Sequence, residues 1–219
     1  MRRYVRQIFL WSWVITVPIS LVGSYLLYRA VDRTYTYSVR YGGEKEELQF
    51  ARIARYEASQ LANFLRVNFI KGLGRRETSL KSVHLVVPEA NLAQLESHMP
   101  QSGFEYVKGR MIQEGKLTKV KVKYRGDTFY RWAWDKKSLR VKTSKKSLFE
   151  GIRSVNLLAP RTPEQLNNYL SYRLANMMGV LAPRTELIRL FLNGEDRGVH
   201  TLVEQIKELT LRNASLMPG

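Results

Sequence analysis

The chain has 219 residues, room for one ordinary domain with appendages, and carries 36 lysines and arginines against 19 aspartates and glutamates. The resulting net charge of +17 favours anionic partners: phosphate groups, acidic polymers, lipid headgroups or nucleic acid. There is no cysteine, which excludes disulfides and thiolate metal centres, and the three histidines, His84, His98 and His200, share no metal-binding spacing.

From Gln7 to Tyr28 no residue is charged, and the run IFLWSWVITVPISLVGSYLLY is mostly apolar. As a helix rising about 1.5 Å per residue it spans roughly 30 Å, the thickness of a bilayer core. Trp11 and Trp13 lie near one end and Tyr25 and Tyr28 at the other, where interfacial aromatics belong. Residues 8–28 are therefore predicted to be a transmembrane helix, with Pro18 tolerated inside it. Arg2, Arg3 and Arg6 precede the span, whereas Arg29 and Arg33 follow it with Asp32 between them. The bias puts residues 1–7 in the cytoplasm and the rest of the chain in the periplasm or outside the cell. The apolar run is longer than a signal-peptide core and LLYRAVDRT offers no small-x-small cleavage site, so an uncleaved anchor is expected.

Residues 29–78 read as a juxtamembrane linker and a stalk helix. RTYTYSVRYGG, residues 33–43, alternates aromatic and polar residues and is predicted to be extended. A helix follows from Glu44, with acidic residues in its first turn and Leu48, Ala51, Ala58, Leu61, Leu65 and Phe69 on one face. GLG at 72–74 ends it. That face is expected to pack on the following domain or on a second copy, giving self-association through residues 44–71.

The globular part is predicted over 79–219, an α+β domain with a mostly antiparallel sheet and packed helices. SVHLVV at 82–87 is a short strand, and PEANLAQLESHMP a short helix with Leu92 and Leu95 on one face. FEYVKGRMI and KLTKVKVKY form a hairpin through Gln113, Glu114 and Gly115. In its second strand Val120 and Val122 face one way and Lys119, Lys121 and Lys123 the other. A loop with four aromatics, Phe129, Tyr130, Trp132 and Trp134, leads to the strand SLRVKT and then to IRSVNLLA. TPEQLNNYLSYRLANMMGV is the clearest helix of the domain, capped by Thr162 with Pro163 and Gln165 behind it. Leu166, Leu170, Leu174 and Met177 are expected to face inward. TELIRLFLNGEDRGVHTLVEQI is a hairpin whose Asn193-Gly194 turn is widened by Glu195 and Asp196, and KELTLRNASLMPG starts a last helix.

VKVKYRGDTF, KKSLRVKT, LFEGIRSVNLLAP, MMGVLAPRTE and RLFLNGEDRGVHTLVEQI, in that order, resemble the CotH kinase family over roughly Ser82 to Leu211. The resemblance implies a divergent protein-kinase-like fold in which residues 82–205 are the nucleotide-side lobe. It also implies ATP and Mg2+ as cofactors and a secreted or envelope protein as substrate, in keeping with an outward-facing domain. Members of the family continue into a second lobe whose aspartates bind magnesium and position the acceptor. Here no aspartate follows Asp196, and Asp127 and Asp135 match no catalytic position. No catalytic residue and no metal ligand is therefore assigned, and phosphoryl transfer is expected to be incomplete in this chain, as a fragment of a longer kinase or a one-lobe relative.

Phosphoryl transfer needs fixed cations on the nucleotide phosphates, because negative charge spreads there in the transition state. Lys142 and Lys137 are the two candidates for the phosphate lysine. Arg140 projects to the same face as Lys142, and Arg125 precedes Gly126, where the backbone can approach a ligand. Glu204 could orient a lysine or meet the adenine-side rim. The plain alternative is a solvated sheet-face cation for each basic residue and a structural ion-pair partner for Glu204. A different function class is a non-catalytic basic module gripping an anionic envelope polymer or lipid headgroups through residues 108–147. The absence of any helix-turn-helix, finger or RNA-recognition signature speaks against nucleic acid.

Overall fold

The computed structural model describes residues 2–41, 50–65, 79–97, 99, 105–126, 134, 136–160, 166–207 and 211. The chain divides into two compact units, Met1–Glu77 and Thr78–Gly219.

The first unit contains α1 (Arg2–Tyr41) and α2 (Phe50–Leu65). Within α1, Trp11–Thr36 is long and apolar enough to cross a membrane. Pro18 lies inside the helix without ending it. The link predicted to be extended is instead helical through Tyr41. Each residue added to an existing helix gains a hydrogen bond without the cost of nucleation, and this outweighs the weak alternation of TYTYS. The Thr34 hydroxyl donates back to the Ala30 carbonyl at 2.8 Å.

α2 packs on α1, but not with the predicted stripe. Ala51, Ala58 and Leu65 are exposed and Leu61 only half-buried, while Ile53 and Glu57 are buried. The Glu57 carboxylate lies 3.6 Å from Arg29 Nε and 3.5 Å from Arg33 Nε, two arginines one helical turn apart on α1. Apolar periodicity does not count a buried carboxylate, which here sets the packing face. The acidic first turn, Leu48, Phe69 and the GLG terminator lie outside the described residues.

The second unit is a seven-stranded barrel. Its strands are β1 (Lys81–Val86), β2 (Val107–Gln113), β3 (Lys116–Tyr124), β4 (Leu139–Thr143), β5 (Ser154–Leu158), β6 (Thr185–Leu192) and β7 (Glu195–Glu204). Helix α3 (Glu89–Ser97) follows β1, and α4 (Asn167–Met177) precedes β6. The spatial order is β1-β2-β3-β4-β5-β7-β6, and every neighbouring pair is antiparallel until β6 meets β1 in parallel and closes the ring. The α+β, mostly antiparallel reading is met, but the kinase-like sheet implied by the resemblance is not: the parallel β1–β6 pair closes the strands into a barrel. Alternation along β1, β3 and β4 helps fill the lumen: Val83 and Leu85, Val120 and Val122, Leu139 and Val141 are all buried. Leu95 of α3 joins this core and Leu92 packs partly against it.

Two readings of the second unit are corrected. Glu195 pairs with Leu192, so the β6–β7 turn is the two-residue Asn193-Gly194, with φ of 51° and 86°. The surplus length is taken up further along, where Arg189 pairs with Val199 but Phe191 pairs with Asp196. Arg197 and Gly198 therefore both oppose Leu190, a bulge in which Gly198 has φ 72°. In α4, three of the four residues expected inward point out: Leu170 is 60% exposed, Leu174 58% and Met177 81%. Leu166, Tyr169, Tyr172 and Ala175 are the half-buried positions. The cap at Thr162, Pro163 and Gln165 lies outside the described residues, as do the loop aromatics Phe129, Tyr130 and Trp132, and the last predicted helix except Lys207 and Leu211.

Candidate functional site

Two recesses of the barrel are lined by the lysine candidates, and the five predicted site residues do not come together in either. Lys137 lines a recess of about 380 Å³ between α3 and the barrel, with Glu96, Tyr124, Arg197 and His200. Lys142 lines a larger one of about 1250 Å³ on the outer side of β2, β3 and β4. Arg140 lies on the same outward face of β4, but its Nε donates to Asn156 Oδ1 at 2.8 Å. The Arg125 N–H donates to the Ser138 carbonyl at 2.8 Å, holding that backbone beside the start of β4. Glu204 accepts the Arg184 N–H at 3.3 Å, and its own N–H donates to the Arg184 carbonyl at 2.8 Å. Glu204 thus fixes the approach to β6 and stands in neither recess.

The smaller recess is built from local rules. Tyr124 ends β3 opposite Leu139, so its ring enters the barrel while Lys137 sits just before β4. Lys137 Nζ is 5.3 Å from the centroid of the Tyr124 ring and 3.5 Å from Glu96 Oε1. The Tyr124 hydroxyl donates to the same carboxylate oxygen at 3.3 Å. Burial, then the negative charge of Glu96 and its hydrogen bond, push the Tyr124 phenol well above its ordinary pKa, so it remains a neutral donor. Glu96 reaches this point because it lies one turn beyond Leu92, on the side of α3 that meets the barrel.

Arg197 enters from the other wall, aimed by the bulge at Gly198. Its Nη2 lies 2.6 Å from Glu195 Oε2, while its Nε is buried with no hydrogen-bond partner. His200 is fully buried, with Nδ1 3.2 Å from the Gly198 carbonyl. Sequence reasoning missed Glu96, Tyr124, Arg197 and His200. Only Glu96 left a usable trace, its spacing from Leu92; the bulge that places Arg197 depends on the β6 partner.

The larger recess holds Lys108, Arg110, Lys119, Lys121, Lys142 and Arg153. Burial, then the positive charges of Arg153, Lys207 and Lys121, pull the Lys142 ammonium below the ordinary lysine pKa.

Comparison with known proteins bears on this barrel. Residues 122–217 match the family model described as CotH kinase protein. A 101-residue stretch, 46% of the chain, is 28% identical to the inner spore coat protein H of Bacillus subtilis (strain 168). That stretch spans 27% of the relative's length. The matched segment begins within β3 and takes in Tyr124, Lys137, Lys142, Arg197 and Glu204. Over residues 122–217 this chain is similar to the CotH kinase protein family.

Proposed function

We propose that the barrel is the nucleotide-binding part of a CotH-like atypical kinase, and that Lys137 is the lysine that meets the nucleotide phosphates. The observation that supports this is the triad of Lys137, Glu96 and Tyr124 in a recess. Kinases hold their phosphate lysine by an ion pair to a helix glutamate, and Lys137 has such a partner on α3. Lys142 stands instead on a sheet face among like charges. Arg197 adds a second cation whose buried Nε lacks a partner, a donor suited to a phosphate oxygen.

An ATP-class nucleotide fits this donor set. When bound it supplies a transferable phosphoryl group; Lys137 and Arg197 would offset its negative charge, and Glu96 would hold Lys137 in place. Mg2+ is less well served, because no group of three His, Asp or Glu placed to hold a metal occurs among the described residues. The reading therefore stops at nucleotide binding.

The apolar part of α1 supports a membrane-anchored form, Arg2, Arg3 and Arg6 before it favour the barrel on the outer side, and the spore-coat relative is in keeping with a coat or envelope location. The chain has no cysteine, so single cysteines placed at residues 4 and 116 report sidedness cleanly with an impermeant thiol reagent. Labelling of 116 alone in intact cells is expected; labelling of 4 alone reverses the orientation.

Calorimetric titration of the full chain in neutral detergent with MgATP tests the binding site. Lys137→Ala is expected to weaken binding at least about tenfold, and Lys142→Ala less than about threefold. The reverse ranking, or no binding by the parent chain, overturns the assignment.

A further inference from the structure

The outer face of β2, β3 and β4 carries rows of like charge. Lys108 pairs in register with Lys121, and Lys121 with Lys142; one step along, Arg110 pairs with Lys119. Arg153, whose carbonyl accepts the Thr143 N–H, extends the group beyond β4. All six line the recess of about 1250 Å³, and Glu89 is the acidic residue among the lining. None of the six forms an ion pair among the described residues. Arg153 Nε is buried with no hydrogen-bond partner. Like charges placed directly across strands destabilise a sheet, so this arrangement opposes folding unless an anion bridges the rows.

We propose that this recess docks a linear, phosphate-bearing polymer, at a site separate from the Lys137 recess.

Five features select that occupant. Five of the cations are spread over three strands roughly 5 Å apart, with Arg153 beyond them, so one small anion meets only a part of the set and a chain of anions meets all. They line a hollow floored by Val87, Gly109 and Val120, which a flexible strand enters and a flat bilayer surface does not. Every described strand of the barrel has a neighbour on both sides, so no strand offers a whole edge for an acidic peptide to join as an extra strand. The nearby Tyr106 ring has Lys123 Nζ at 4.9 Å and Lys142 Nζ at 5.9 Å from its centroid, which leaves charge rather than base stacking as the means of grip. Four of the six are lysines, compact charges that accept mobile phosphates without a fixed bidentate geometry. The lowered pKa of Lys142 is in keeping with a crowded set of cations.

The test uses the full chain in neutral detergent, with long-chain inorganic polyphosphate as the probe and salt as the variable. Polyphosphate is expected to bind with a steep salt dependence. The double variant Lys121→Gln/Lys142→Gln should lose at least about tenfold in affinity and flatten the salt slope by about two. Lys121→Arg/Lys142→Arg should retain binding, and Lys145→Gln/Lys146→Gln, which removes as much charge outside the recess, should change affinity less than about threefold. MgATP affinity should be unaltered in the Gln double variant, and Lys137→Ala should leave polyphosphate binding intact.

Equal loss in the two Gln pairs reduces the effect to net charge and overturns the proposal. Orthophosphate competing equally at matched phosphate concentration shows an adventitious ion only and also overturns it. So does lysine-dependent binding to phosphatidylglycerol vesicles without binding to polyphosphate, which would make the face a membrane contact. Loss of polyphosphate binding in Lys137→Ala would merge the two recesses and overturn their separation.

Discussion

The side-chain amide of Asn193 pairs with the main chain of Val87 like one more rung of the sheet. Its Nδ2 donates to the Val87 carbonyl at 2.8 Å, and its Oδ1 accepts the Val87 N–H at 2.8 Å. The Asn193 N–H donates in turn to the Leu85 carbonyl at 2.8 Å. The β6–β7 turn is thereby tied to the end of β1, next to the parallel pair that closes the barrel.

Asn193→Ala removes both bonds to Val87, together with a longer one from Nδ2 to Glu89 Oε1 at 3.3 Å, and places a β-carbon residue without a local hydrogen bond at φ 51°. Two hydrogen bonds at about 1 kcal/mol each predict a loss of about 2 kcal/mol, and the backbone adds to it. Asn193→Gly loses the bonds but tolerates the φ, so it should fall between Ala and wild type. Urea unfolding of the full chain measures this, and two variants both within about 0.5 kcal/mol of wild type would show that the rung does not hold the barrel closed.

Lys121 stands opposite both Lys108 and Lys142. Lys121→Gln should therefore raise the melting temperature, by an amount corresponding to roughly 0.5 kcal/mol. The gain should shrink as NaCl is raised from low ionic strength, since these charges are screened over about 10 Å at 0.1 M. A lower melting temperature at low salt would mean that Lys121 makes a stabilising contact that outweighs the repulsion.

Stability should fall at both ends of the pH scale, from different residues. Burial tends to raise the Glu150 pKa, but hydrogen bonds from Gln113 and Lys81 and the charge of Arg184 outweigh it, and the net shift is downward. A carboxylate with a depressed folded pKa contributes stability above its unfolded value, lost as pH falls through the folded one. The loss should begin below about 4.5, the ordinary glutamate value. At the alkaline end, the hydrogen bond to Glu150 raises Lys81 and burial raises Tyr124. Both contributions are intact below the unfolded values and are lost as pH rises through the folded ones. Unfolding curves taken across pH should show Glu150→Gln flattening the acid limb and Tyr124→Phe the alkaline limb; unchanged limbs would remove these residues from the account.

Leu174 and Leu157 look alike in sequence and should behave differently. Leu157 is 1% exposed in the barrel core, so Leu157→Ala should cost about 2–5 kcal/mol. Leu174 is 58% exposed on α4, and Leu174→Ser should change stability by less than about 1 kcal/mol. Comparable losses in the two variants would place Leu174 in a packed interface.

Much of the barrel was legible because strands repeat every two residues. KLTKVKVKY divides its valines from its lysines in sequence as it does in the structure, and the predicted turn falls between the right strands, one residue shorter because Gln113 ends β2 opposite Lys116. Lys142 and Lys137 were both picked out, but their difference was not readable. Only α3, folded back over the barrel, supplies Glu96 to one and not the other. In α4 and α2, helical spacing grouped residues into stripes correctly in kind, yet it could not say which stripe would meet a neighbour. The buried face of α2 is set by Glu57 and two arginines rather than by its leucines.

By itself the sequence determined the apolar span of α1, the alternation of the strands, and the excess of lysine on one sheet face. These depend on the period of one element and on side-chain chemistry along it. Closure of the barrel by β1 and β6, the Asn193–Val87 rung, the bulge that turns Arg197 inward and the separation of Lys137 from Lys142 were decided only by tertiary structure. Each joins residues from different elements, and a contact between distant positions is set by packing that no local pattern encodes.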